Sequence, residues 1–265
     1  MVLSTPHTGT ANALWALDHG SLTYDAGLVV LGASGTVTAP IASYLIQHER
    51  GLVLFDTGLD PEAADREVAE YGELASAFDM RFAAENRVDR QIERMGFSPS
   101  DVTHVVISHA HFDHSGGIKL FPHAKFYIGA EDLRFVFWPD GGAAGSCRWQ
   151  DIEAGRGFRW NPVLGDYDLF GDGSVVMLSL PGHTPGNSSL LVHLPGESLL
   201  LTADTVHLRA GLDWTMPMGG DHNTQAATDS IRRLQQIRDA YDAKVWITHD
   251  PEDWADFGGA GRYGA

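Results

Sequence analysis

A chain of 265 residues is within the range of one α/β layered domain and can bury most of its apolar surface without staples. Its composition, 43% hydrophobic and 20% charged, is that of a globular protein and excludes a disordered one. With 35 acidic against 18 basic residues the formal net charge is −17, which repels phosphate backbones and argues against a nucleic-acid partner.

The start, MVLSTPHTGT, has no basic region followed by an apolar one, so no signal peptide is expected and the location expected is cytoplasmic. Apolar runs such as GLVVLG (27–32) are too short to span a bilayer, so no membrane partner is expected either. SYLIQHERGLVLFDTG (43–58) is two apolar runs around the charged turn His48-Glu49-Arg50-Gly51, a hairpin pattern. PEAADREVAEYG (61–72) opens on Pro61 with early acidic residues, as helix starts do. NRVDRQIERMGF (86–97) places Val88, Ile92 and Met95 on one helical face, with Gly96 suited to its end. DVTHVVISHAH (101–111) is a buried strand running into histidines. The stretch 133–172, rich in Trp, Gly and Asp, has weak periodicity and reads as an insertion or a lid.

SVVMLSLPGHTPG (174–186) is a strand ending in a Pro/Gly-rich loop, and Cys147 before it is the single cysteine, so no internal disulfide forms. NSSLLVHLPGESLLLTADT (187–205) is a hairpin around Pro195-Gly196. TQAATDSIRRLQQIRDAYDA (224–243) is a helix with Ala227, Ile231, Leu234, Ile237 and Tyr241 on one stripe, and KVWITHD (244–250) is a last strand. Strands and helices mix without strict βαβ alternation. A two-sheet sandwich with helices outside fits best, and no linker or composition break divides it.

HAHFDH (109–114) packs three histidines and an aspartate into six positions. Such groups are costly to bury unpaired. His109, His111, Asp113 and His114 follow one strand, His183 a second, Asp204 a third and His249 a fourth. If those strands lie side by side, the seven side chains converge. Imidazole and carboxylate without thiolate suit Zn²⁺, and also Mn²⁺, Fe or Co²⁺. Two ions sharing a carboxylate and a water would use all seven donors. His7, His19, His48, His104, His123, His193 and His222 read as ordinary surface or core histidines.

HAHFDHSGG followed by PGHTPG, TADT and THD resembles the metallo-β-lactamase superfamily over about residues 40–250. The resemblance implies an α/β fold, an αββα sandwich of two mixed sheets flanked by helices. It implies one domain over 1–265 with the site at one edge of the sheets. It implies that His109, His111 and His183 hold one metal, that Asp113, His114 and His249 hold the other, and that Asp204 and a hydroxide bridge them. Asp56, in FDTG, would support these ligands from behind.

Within the superfamily, the phrases SHxHFDHxGG and PGHxPGxxSL and the ending soon after THD are similar to the quorum-quenching N-acyl homoserine lactone lactonases. Classical zinc β-lactamases carry cysteine where Asp204 stands. Superfamily nucleases usually carry an added domain or an RNA-binding arm. Glyoxalase II adds a basic helical C-terminal region, whereas this chain ends DPEDWADFGGAGRYGA with Arg262 as its one arginine. The lactonases place a tyrosine three residues after the bridging aspartate. Here that residue is His207, whose imidazole donates the same kind of hydrogen bond.

The resemblance thus implies a metal-dependent hydrolase carrying two divalent ions, Zn²⁺ foremost. The bridging hydroxide would attack the lactone carbonyl, His207 would help to stabilise the oxyanion, and Asp113 would carry the proton to the leaving oxygen. An apolar tail would need a groove, for which Phe78, Phe82, Trp138, Trp214 and Met216 are candidates, with Leu28, Val29, Phe135 and Met218 beside them. Another lactonase, a glyoxalase II-like thioesterase or an iron-dependent persulfide dioxygenase are the alternatives on this site. The family resemblance also implies a homodimer.

Overall fold

In the computed structural model, which describes residues 7–264, two mixed β-sheets pack face to face with helices on their outer faces. Residues 1–6, which make up much of the start read for a signal peptide, lie outside the described residues. In chain order the strands are β1 (Ala13–Asp25), β2 (Thr36–His48), β3 (Gly51–Phe55), β4 (Val102–Ile107), β5 (Lys125–Gly129) and β6 (Arg159–Val163). They continue as β7 (Tyr167–Asp168), β8 (Val175–Ser179), β9 (Ser188–Leu194), β10 (Glu197–Leu201), β11 (Lys244–Trp246) and β12 (Gly261–Arg262).

The first sheet has the order β12-β1-β2-β3-β4-β5-β6, and the second β11-β10-β9-β8-β7. Both expected hairpins form: β2 and β3 turn at Glu49-Arg50, β9 and β10 at Pro195-Gly196. From β3 to β6 neighbours run parallel, so β3 and β4 end at the same edge. In the second sheet β8 and β10 both run against β9, and β11 runs parallel to β10. Three strands there also share one direction.

Alternation along the strands explains the layers. Val106 and Tyr127 face the inter-sheet core with Tyr44, Met177, Leu190, Leu201 and Trp246. Their neighbours Val105, Ile107, Phe126 and Ile128 face outward onto Val88 and Ile92 of the helix Val88–Arg94. On the other side Val176, Leu178, Leu191 and Leu200 pack against Ile231, Leu234 and Ile237 of the helix Thr224–Tyr241. No helix among the described residues is long and apolar enough to cross a membrane.

Three segments differ from the sequence reading. Residues 61–72 are not one helix: a 3-10 turn (Pro61–Ala63) breaks at Asp65, whose φ is 60°, before the short helix Glu67–Tyr71. The stretch 133–172 is scaffold as well as cover, since it holds β6 and β7, the edge strands of both sheets. Finally, β1 went unread because its register shifts between Asp18 and Ser21, which interrupts the period-2 pattern.

Candidate metal centre

The ends of β3, β4, β8, β10 and β11 bring five loops to one edge of the sandwich. The loop after β4 carries His109 and His111 and continues into the one-turn helix Phe112–Ser115, which holds Asp113 and His114. Gly116 and Gly117 follow because the FDTG loop after β3 lies against them. A Cβ at Gly116 would stand 2.3 Å from Asp60 N, and one at Gly117 2.5 Å from Thr57 O. The loop after β8 bends at Gly182, with φ 145°, where a Cβ would stand 2.2 Å from Ala227 N.

The seven side chains singled out in the sequence meet here. His109, His111, His183 and Asp204 form one group whose donor atoms lie within 4.8 Å of one another, and Asp113, His114 and His249 form a second. All seven are buried. Asp204 stands between the groups. Its Oδ1 is 3.1 Å from Nε2 of both His114 and His249, and its Oδ2 is 3.3 Å from His183 Nε2 and 3.7 Å from His109 Nε2. Asp113 Oδ2 is 3.7 Å from the same His114 and His249 nitrogens.

The donor set fits metal ions. His109 Nε2 and Asp204 Oδ1 are buried and have no hydrogen-bond partner. His183 Nε2 and His111 Nδ1 approach to 3.0 Å, and His249 Nε2 and His114 Nε2 to 3.3 Å. A cation between such nitrogens satisfies every inward lone pair at once. Burial and the neighbouring imidazoles of His114 and His111 hold the basicity of His109 well down, so it presents a free lone pair. Burial alone would raise the Asp204 pKa, but the imidazoles of His114, His207 and His249 hold it well below the usual carboxylate range.

The outward ring nitrogens are oriented from behind. His114 Nδ1 lies 2.9 Å from Asp56 Oδ2, and Asp56 also accepts from Ser108 N at 2.7 Å and Ser108 Oγ at 2.8 Å. His183 Nδ1 lies 2.8 Å from Asp221 Oδ1, and His249 Nδ1 lies 2.8 Å from Pro40 O. These acceptors place a proton on Nδ1 and turn the Nε2 lone pair inward. Asp132 accepts from Ala110 N at 2.9 Å and Gly186 N at 2.7 Å, tying the loops of His111 and His183 together. Sequence reasoning missed Asp221 because it follows no strand end, and Asp132 because β5, the strand before it, was not read.

Above the two groups opens a pocket with His207 in its wall. His207 Nε2 is 3.1 Å from Asp204 Oδ2, and its ring stacks at 5.9 Å over His249. The apolar wall is Leu22, Val29, Phe78, Phe112 and Met218, with Tyr24 and Ser146 among them. Of the apolar candidates read from the sequence, Phe78, Val29 and Met218 line this pocket. Phe82 does not: it is only 1% exposed and faces a separate cleft of about 540 Å³ beside Asp18, Glu67 and Trp254. Trp138 and Trp214 are 86% and 56% exposed and lie outside the pocket wall. Met216 packs on the apolar cluster beneath the wall, and Phe135 is buried against the His222 ring. Leu22 and Tyr24 were missed with β1 itself, and Phe112 was hidden inside the histidine motif.

The model of the metallo-beta-lactamase superfamily matches residues 37–249. N-acyl homoserine lactonase AttM of Rhizobium radiobacter is 32% identical over 223 residues, covering 82% of this chain and 84% of that protein. AttM of Azorhizobium caulinodans is 30% identical over 257 residues, covering 94% and 97%. Among solved structures, an N-acyl homoserine lactone hydrolase with N-hexanoyl-L-homoserine bound at its catalytic metal center superposes with a TM-score of 0.82 at 24% identity, covering 94% of this chain and 97% of that one. AidC, a dizinc quorum-quenching lactonase, gives 0.69 at 18% identity, covering 93% and 92%. At these identities the two structures establish the fold.

Proposed function

The chain belongs to the metallo-β-lactamase superfamily, and from that premise we propose that it is a metal-dependent hydrolase opening the lactone ring of N-acyl homoserine lactones. The observation that carries this reading is Asp204, which turns one oxygen to each of two buried donor groups at the floor of an apolar-walled pocket. The curated relatives named as N-acyl homoserine lactonases supply the substrate class. Quorum quenching follows from that class. One domain over 1–265, a homodimer and a cytoplasmic location complete the reading; sizing and cell fractionation check the last two.

His109, His111 and His183 would hold one ion and Asp113, His114 and His249 the other, with Asp204 shared. We take the ions to be Zn²⁺, which this nitrogen and oxygen donor set suits. When bound, the pair supplies a nucleophile at neutral pH and positive charge beside the ester carbonyl. The chain's own residues do the rest. Asp56 and Asp221 orient His114 and His183. Asp113, at the floor, takes up a proton and returns it to the ring oxygen as the carbon–oxygen bond breaks. His207 offers a ring N–H toward the carbonyl oxygen as negative charge develops there. Val29, Phe78, Phe112 and Met218 exclude water and receive the acyl tail. The intact second group, Asp113, His114 and His249, favours this hydrolase over a dioxygenase using one iron on three ligands.

Metal analysis of the purified protein should give two ions per chain. A hydrolysis panel of acyl homoserine lactones, simple lactones, S-lactoylglutathione and a β-lactam should show turnover of the first class. No lactone turnover with two metals bound overturns the reading.

A further inference from the structure

Tyr24 is the phenol in the pocket wall, and the proposed reaction does not use it. It sits near the end of β1, two residues beyond Leu22, so strand alternation turns both toward the same face. The side chain is 8% exposed and meets Phe78 edge to face, with ring centroids 6.0 Å apart. Its hydroxyl makes no hydrogen bond with any of the described residues. In the open pocket water can reach this hydroxyl, which is not among the fully buried unpaired atoms, but leaving it unmet once water is excluded is costly. When a ligand fills the pocket and displaces water, the acceptor must come from the ligand.

The pocket is zoned as an acylated lactone is zoned. His111, Asp113, His183, Asp204 and His249 form a polar floor, where the ester reacts. Val29, Phe78 and Met218 form an apolar wall, where an alkyl tail is buried. Tyr24 lines the same pocket as both and packs on Phe78 of the wall, and the group that joins ring to tail in such a substrate is an amide. A phenol, with an ordinary pKa of about 10, is protonated at neutral pH and donates. The carbonyl oxygen of such an amide would supply the acceptor. The floor side chains belong to the two donor groups, and His207 in the wall faces Asp204.

We propose that Tyr24 donates a hydrogen bond to the amide carbonyl oxygen of the substrate and thereby sets the preference for N-acylated lactones over lactones without an amide. This rests on the lactonase reading of the site. The bond forms equally in the bound substrate and in its transition state, so its loss should appear in KM rather than in kcat.

The test is Tyr24→Phe, which keeps the ring and its packing on Phe78. Steady-state kinetics of the metal-loaded wild type and variant are measured with N-hexanoyl homoserine lactone and with an α-alkyl-γ-butyrolactone of matching tail length. The expected result is a roughly tenfold rise in KM for the amide substrate with kcat unchanged, and a change of less than about twofold for the amide-free lactone. Calorimetric binding of the ring-opened N-hexanoyl homoserine should weaken by a similar factor. An unchanged KM for the amide substrate overturns the proposal, as does an equal loss on both substrates. If the wild type opens only the amide substrate, its KM and the product affinity decide alone. If the metal-loaded wild type opens neither lactone, the lactonase reading itself has failed, which the variant's behaviour cannot imitate.

Discussion

Asp204 is the residue on which the two donor groups turn, but the residues behind the donor side chains determine how rigidly they are held. Asp221 shows this. One oxygen receives His183 Nδ1–H, and the other accepts from Met218 N at 3.0 Å, so one carboxylate fixes both a donor side chain and the pocket wall. Replacing Asp221 with Asn should keep the fold and weaken metal binding by about 10–100-fold, read by competition with a chromophoric chelator. Unchanged affinity would mean that His183 is oriented without it. His109→Ala, in contrast, should abolish a full complement of two metals together with activity, because the other donors of its group cannot close around an ion alone. Retention of most metal and most turnover would refute the ligand assignment.

At the scale of elements, the helix Thr224–Tyr241 illustrates how far scaffold and site are separable. Its start is capped by Asn223, whose side chain accepts from Ala226 N at 3.0 Å, and its end runs into Asp242 in the left-handed region. Leu234 is fully buried against the second sheet. Leu234→Ala should cost about 2–5 kcal/mol and Asn223→Ala about 1 kcal/mol in denaturant titrations, with the turnover of folded protein preserved in the first. Asn223 lies closer to the chemistry: its backbone N–H donates to Gly182 O at 2.9 Å, next to His183. The backbone bond survives the side-chain change, so a large loss of kcat in Asn223→Ala would show that the cap also positions the PGHTPG loop.

For the whole molecule, acid sensitivity follows from histidines outside the site. Burial holds His19 and His193 down to about 4, His19 between Ser43 Oγ and Asn86 O, and His193 against Ser198 Oγ. A histidine with a folded pKa below its unfolded value of about 6.5 takes up protons more readily when unfolded. The contribution of these two histidines should therefore be level above about pH 7, and stability should fall through them as pH drops from about 6.5 to 4. Thermal melts across that window, repeated on His193→Gln, should show a shallower decline in the variant. An identical slope would place the sensitivity elsewhere. The same scale separates what was legible in the chain from what was not. The histidine cluster and the strand ends carrying His183, Asp204 and His249 could be read without a structure. Ligand density and strand-to-loop transitions are local properties, written within a few consecutive residues. The sandwich followed from apolar runs and helical stripes mixed without strict βαβ order, while β1, with its bulge, went unread. The pocket was different. Phe78 lines it whereas Phe82, four residues on, faces another cleft, and Tyr24, Asp132 and Asp221 reach the site from segments far apart in the chain. Such placements depend on which loops stack over one sheet edge. That is set by contacts between distant segments, which only the tertiary structure decides.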